Sequence, residues 1–150
     1  MRKMFLLIAF AGLFVSSVSC ANTEGKSHEK GTEVTASSSE KGGVVYLTKE
    51  TFKEKVFDYE ANKEWTFEGK VPVIVDFYAD WCGPCRQLSP VLAELQKDYG
   101  GKIQIYKVNT DKEKELAQTF GIRSLPTIVF IPLDGDPQAA MGFRPKADLE

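Results

Sequence analysis

The sequence predicts an α/β domain with a largely parallel central sheet over residues 44–150. Three observations carry this. Short runs rich in β-branched and aromatic residues alternate with segments of helical periodicity. One run, VIVDFYA at 73–79, is apolar almost without interruption, as in a strand buried on both faces. The whole chain has 150 residues, 43% apolar and 11% aromatic, enough for one ordinary core plus a tail.

The elements follow in order. Residues 44–47 are a short β-prone run. Thr48 can cap a helix over about 49–57, with Phe52, Val56 and Phe57 on one face. Residues 58–70 are polar with scattered Tyr59, Trp65 and Phe67, and read as a loop or a short extra helix. The strand at 73–79 precedes a helix over about 83–99, whose Leu88, Val91, Leu92, Leu95 and Tyr99 recur at helical spacing; Gly100 and Gly101 end it. A third strand covers 103–108, a short helix 112–120 ends at Gly121, and a fourth strand covers 127–131. Asp134-Gly135 is a turn signal before a short fifth strand at 138–142. No internal repeat is visible.

The first 43 residues are of a different kind. Residues 1–20 read MRKMFLLIAFAGLFVSSVSC: basic Arg2 and Lys3, a twelve-residue apolar run from Met4 to Val15, then small polar residues and Cys20. That is the plan of a secretory signal peptide, and the run is shorter than the roughly 20 residues a membrane-crossing helix needs. Cys20 has two readings. With small Ser19 before it and Ala21 after it, it resembles the lipid-carrying cysteine of a bacterial lipoprotein, although Ser17 stands where Leu is commonest. Alternatively, cleavage falls nearby and Cys20 is removed or left as an unpaired thiol. A lipidated Cys20 would hold membrane, since each buried CH₂ contributes about 0.8 kcal/mol. Residues 21–43 read as a flexible linker: from 22 on they hold four Gly, four Ser, three Thr, four Glu and three Lys, with only Val34 and Ala36 apolar. Such a coil spans on the order of 25 Å. His28 within it has no neighbouring ligands and reads as a solvated side chain.

Charge and composition exclude several functions. A formal net charge of −2 argues against nucleic-acid binding through phosphate electrostatics. One His and three Cys exclude a His-rich zinc site and a disulfide scaffold. No Gly-rich strand-to-helix turn suggests a nucleotide or flavin.

The chemistry concentrates at Trp81-Cys82-Gly83-Pro84-Cys85, between the buried strand and the long helix. Unpaired N–H groups and the macrodipole at a helix N-terminus favour an anion, so a Cys82 thiolate is stabilised and its pKa lowered. Cys85 lies one turn on, within reach of a small disulfide ring. Pro84 suits a first turn, where its missing N–H is no loss. Arg86 adds positive charge there. Other readings remain: half a zinc site, for which the domain has no second ligand pair; a static disulfide, which would close few residues and gain little loop entropy; or an inert remnant. Asp76 is anomalous within VIVDFYA. Buried, it would carry a raised pKa and suit a base near neutral pH; on a bent strand it would be solvated.

Residues 44–144 resemble the thioredoxin family along nearly their whole length. VDFYADWCGPC, Pro90, Lys107-Val108-Asn109, Gly121-Ile122-Arg123 and Leu125-Pro126-Thr127 follow in the family's order. The resemblance implies a thioredoxin fold, a central mixed five-stranded sheet flanked by helices, and a protein-disulfide reductase. It implies that Cys82 is the exposed nucleophile, Cys85 the resolving thiol, and Asp76 the buried carboxylate beneath them. Lys107 would be that carboxylate's cation, or a plain surface lysine. Pro126 would be a cis-proline leaving the Leu125 amide and carbonyl free for a substrate strand. Trp81, Gly83, Pro84, Leu125, Pro126 and Gly142 would bind substrate in a shallow apolar groove, although Trp81 read alone could be core. No cofactor is implied beyond the Cys82–Cys85 disulfide, and no metal. The implied partners are protein disulfides and a membrane thiol–disulfide electron donor, with the chain a monomer, anchored through Cys20 in the periplasm or cell envelope.

The sequence departs from the family in places. Tyr78 stands where many members have Trp, Ser124 where Gly is frequent, and 58–70 is longer than in small members. The chain stops at Glu150, where the family's last helix begins, so that helix is expected to be truncated. Gly83-Pro84 between the cysteines, rather than His, favours a reductase. An oxidase or isomerase is the alternative, and a non-catalytic binding module a second.

Overall fold

The computed structural model describes residues 43–150. The expected signal peptide, Cys20 and nearly all of the linker lie outside these residues. Five strands and three helices alternate: β1 (Val45–Tyr46), α1 (Lys49–Lys55), β2 (Val73–Tyr78), α2 (Gly83–Asp98), β3 (Gln104–Asn109), α3 (Lys114–Thr119), β4 (Thr127–Ile131) and β5 (Gln138–Met141).

The strands form one sheet in the order β1-β3-β2-β4-β5. β1 and β2 run parallel to β3, whereas β4 is antiparallel to both β2 and β5. The sheet is therefore mixed, as the family resemblance implies, and not largely parallel as strand–helix alternation alone predicts. The reason is length. α3 has six residues, about 9 Å of helix, against the roughly 20 Å of a six-residue strand. It does not return the chain to the far end of the sheet. β4 starts where β3 stopped, with Thr127 opposite the Phe77 end of β2, and must run backward. The turn around Gly135, at φ 105°, then folds β5 back as a hairpin.

The period of two in β2 divides the core. Val73, Val75 and Phe77 join Phe52, Val56, Val108 and Leu116 on the α1 and α3 face. Ile74 joins Leu88, Leu92, Leu95, Ile105 and Ile128 under α2 on the other. Asp76, two residues beyond Ile74, lies on the α2 side. α1 is capped as expected, Thr48 Oγ1 accepting from Thr51 N–H. Residues 58–70 are turns and irregular chain rather than a helix; the Trp65 ring packs tilted against Phe57, centroids 4.8 Å apart, and Tyr59 meets Phe120 edge-on. After β5 the expected start of a last helix is a single 3₁₀ turn, Lys146–Asp148, followed by buried Leu149 against the α2-side core. Among the described residues no helix is long and apolar enough to cross a membrane.

Candidate active site

β2 delivers the chain to the sheet's C-terminal end, where α2 begins. Cys82 is the N-cap of α2 and has extended backbone; its Sγ accepts the Cys85 N–H at 3.2 Å. A helix N-terminus with free N–H groups thus faces the first sulfur. The two cysteines form a disulfide with Cα atoms 5.3 Å apart. Gly83 and Pro84 fill the first turn, Pro84 at the surface. Arg86 turns back to donate to the Asp80 carbonyl at 3.1 Å.

The expected exposure of Cys82 is not seen. In the disulfide form Cys82 is 4% exposed and Cys85 1%. The two cysteines cluster with Ala79, and Tyr78 and Leu125 pack against that cluster. Cys82 is still the more accessible of the two, but a target disulfide must approach closely along the surface beside it.

On the sheet, Asp76 and Lys107 stand opposite each other in the parallel β2–β3 register. Asp76 is fully buried, which removes the solvated reading. Burial pushes its carboxyl above the ordinary carboxylate range, and the Lys107 ammonium opposes that rise. Lys107 is 4% exposed, so it is no surface lysine. Its Nζ lies 3.1 Å from Asp76 Oδ2 and 4.5 Å from the centre of the Tyr78 ring. The proximity is one of charge: neither Asp76 oxygen has a hydrogen bond of good geometry. The ammonium instead donates to Ser89 Oγ at 2.6 Å.

Trp81 is 69% exposed and is not core. Its Nε1–H donates to Asp111 Oδ2 at 2.9 Å. Asp111 N–H in turn donates to Asn109 Oδ1, and Asn109 Nδ2 to Asp80 Oδ2. This clamp holds the segment before Cys82 to the end of β3.

The second wall comes from β4 and β5. The Leu125–Pro126 bond is cis. Gly142 at φ 85°, a backbone region that favours glycine, donates its N–H to the Pro126 carbonyl at 2.8 Å. Leu125 touches the disulfide cluster, and among the described residues its own N–H and C=O make no backbone hydrogen bond. Pro126 itself is buried rather than a groove surface, because the chain folds it under the β4–β5 end. The exposed apolar surface is instead extended by Met141 and Phe143 on either side of Gly142, 69% and 43% exposed.

Of the residues expected from sequence, Leu125 packs with the Cys82–Cys85 disulfide, Gly142 bonds Pro126 and Asp76 pairs with Lys107, while Cys20 lies outside the described residues. Ser89, Asn109, Asp111, Met141 and Phe143 were missed. Asn109 and Asp111 were within reach of inference: pairing Asp76 with Lys107 also sets Tyr78 against Asn109. Ser89 carries no such signal. Among the described residues no group of three His, Cys, Asp or Glu side chains could hold a metal ion.

A thioredoxin family model matches residues 43–150. The chain belongs to the thioredoxin family. It is similar to a thioredoxin of Borreliella burgdorferi, 54% identical over 99 residues, covering 66% of this chain and 85% of the relative. It is also similar to thioredoxin 1 of Nostoc, 41% identical over 103 residues, covering 69% of this chain and 87% of that one. Among solved structures, a chloroplastic thioredoxin z superposes with a TM-score of 0.61 at 28% identity, covering 71% of this chain and 88% of that chain. Family membership and a Cys82–Cys85 pair able to close a disulfide make the chain a thiol–disulfide oxidoreductase, with protein-disulfide reductase activity. Thioredoxins act on protein disulfides.

Proposed function

We propose that this thioredoxin works outside the cytoplasm, tethered to membrane by a lipid on Cys20, and that it reduces protein disulfides with Cys82 as nucleophile, Cys85 as resolving thiol and Asp76 as base. The observation that carries the chemistry is the Cys82–Cys85 pair at the N-terminus of α2 with an unsolvated carboxylate on the sheet beneath α2. The location rests on residues 1–20, whose basic start, apolar run and terminal Cys fit a lipoprotein signal.

In the reduced chain the α2 N-terminus favours the Cys82 thiolate. The thiolate attacks one sulfur of a target disulfide. A Cys82–target disulfide forms, the target S–S bond breaks, and the leaving thiolate takes a proton from solvent. The Cys85 thiol gives its proton to Asp76, and the Cys85 thiolate attacks Cys82 Sγ. The Cys82–Cys85 bond forms and the second target thiolate leaves, taking a proton. Two electrons have passed to the target, and the Asp76 proton is lost to solvent. The target strand lies along Leu125, whose unused N–H and C=O are positioned for backbone pairing. Trp81, Gly83, Pro84, Leu125 and Gly142 present the docking surface, with Pro126 shaping it from beneath. The Cys82–Cys85 pair is the chain's own redox group, with no cofactor beside it, and the chain works as a monomer. Outside the cytoplasm a membrane thiol–disulfide protein reloads it with electrons.

Two experiments test this reading. Cys85→Ser should accumulate target proteins bonded to Cys82; recovery of none would refute Cys82 as nucleophile. In a bacterial host, labelled palmitate should enter the wild type and not Cys20→Ser. An unlabelled, freely soluble wild type would refute the anchor.

A further inference from the structure

We infer that Ser89 is a positioning residue for the resolving step: its hydroxyl, by accepting from Lys107, fixes the ammonium in a place from which it is not hydrogen-bonded to Asp76, and links Lys107 to the backbone of Cys85. This rests on Asp76 acting as the base for Cys85.

The observation is a mismatch. A buried carboxylate has an ammonium 3.1 Å away, yet neither of its oxygens is hydrogen-bonded. The ammonium's short bond, 2.6 Å, goes to Ser89 Oγ on α2. The Ser89 hydroxyl hydrogen is committed elsewhere, to the Cys85 carbonyl one turn back at 3.0 Å. Ser89 therefore offers Lys107 only lone pairs, and an ammonium, which has donors and no acceptor, is the partner that fits. The chain Lys107–Ser89–Cys85 joins the cation of the buried pair to the turn that carries the resolving sulfur.

The consequence concerns basicity. A carboxylate that accepts a charge-assisted hydrogen bond holds its charge easily and binds a proton poorly; one that feels only nearby charge in an unsolvated site remains a stronger base. By holding the ammonium in place, Ser89 keeps Asp76 of the second kind. The groups facing Asp76 are few. Lys107 comes from β3, Tyr78 from its own strand, and apolar Ile128 from β4. Lys107 is the one cation among them.

Ser89→Ala removes the anchor that fixes the ammonium and lets it shift into hydrogen-bonding geometry with Asp76. Alanine is the better helix former, so α2 should persist. The test is carboxyl NMR titration of Asp76 in the full chain, reduced and oxidised, beside the pH dependence of the resolving step. The Asp76 midpoint should fall by about one pH unit, a tenfold loss of proton affinity. Ser89→Thr, which keeps the hydroxyl, should restore it. In a Lys107→Met background, Ser89→Ala should have no further effect on the midpoint. An unmoved midpoint in folded Ser89→Ala would overturn the inference, as would an equal fall in Ser89→Thr or a fall that persists without Lys107. Asp76→Asn separates the two readings: if that variant resolves at the wild-type rate, Asp76 is not the base, whatever Ser89 does to its titration.

Discussion

Two ion clusters in this molecule look alike on paper and differ in kind. On the surface, Lys49 and Lys53 of α1 meet Glu60 of the 58–70 loop, and Lys49 also meets Glu115 of α3, all at 2.7–2.9 Å. Every charge there has an opposite partner and solvent around it. Hydrogen bonds to Glu115 and then Glu60 hold the Lys49 ammonium above its ordinary range, and bonds from Lys53 and then Lys49 hold Glu60 below its own. In the middle of the sheet, Asp76 and Lys107 stand 3.1 Å apart with almost no exposure, and the carboxylate lacks hydrogen bonds. Exposed pairs gain little because water screens them, whereas a buried pair carries a desolvation cost that its attraction repays only with full hydrogen bonding. The well-made pairs are thus the less consequential. The incomplete one holds the carboxylate proposed as the base for Cys85.

The largest break comes at the sulfurs. Cys82→Ser should lower reductase turnover on the order of 10³-fold or more, the scale on which a covalent nucleophile is lost, as read by reduction of a model protein disulfide. Next is the buried pair. Asp76→Asn should slow resolution of the mixed disulfide about 10²-fold near neutral pH, measured by quenched single-turnover kinetics. The same variant should gain stability where the wild type loses it. The unfolded carboxyl gives up its proton near the ordinary 3.8 while the folded one retains it to higher pH. Wild-type stability therefore falls as pH rises from that value through the folded midpoint. Asp76→Asn should flatten the fall and be more stable at pH 8 but not at pH 3, by urea midpoints.

Smaller effects lie outward. Trp81→Ala removes the most exposed aromatic of the docking surface and should raise KM about tenfold with turnover little changed, the size of an interface anchor. Asp111→Asn weakens only its clamp and should do less. Glu60→Gln, in the exposed cluster, should leave both activity and the urea midpoint where they were, at low salt and at high. A marked loss there would erase the contrast between the two clusters.

Much of the site was legible because the decisive residues are neighbours in sequence. Cys82, Gly83, Pro84 and Cys85 lie on one turn whatever the rest of the chain does, and an acid inside VIVDFYA is conspicuous. The central strand β2 was legible for a similar reason, since burial on both faces leaves a nearly unbroken apolar run. Direction was not: the reversal of β4 depends on how far α3 carries the chain, which periodicity does not encode. The Lys107–Ser89 bond joins β3 to α2, and the Trp81–Asp111 bond joins residues 30 apart in sequence. Such contacts follow from register and helix rotation, which a single sequence states only indirectly. The depth of Cys82 was misjudged for the same reason, because Leu125, which packs against its cluster, arrives from the distant segment before β4.

The most direct test of the central claim is the equilibrium reduction potential of the Cys82–Cys85 pair, read by titration against a defined thiol–disulfide buffer. A reductase requires a value near the roughly −270 mV already characteristic of thioredoxin, a reference value and not one obtained from this structure. A value near that figure would support electron flow from this dithiol to target proteins. A value between about −180 and −120 mV, where isomerases and oxidases lie, would contradict it.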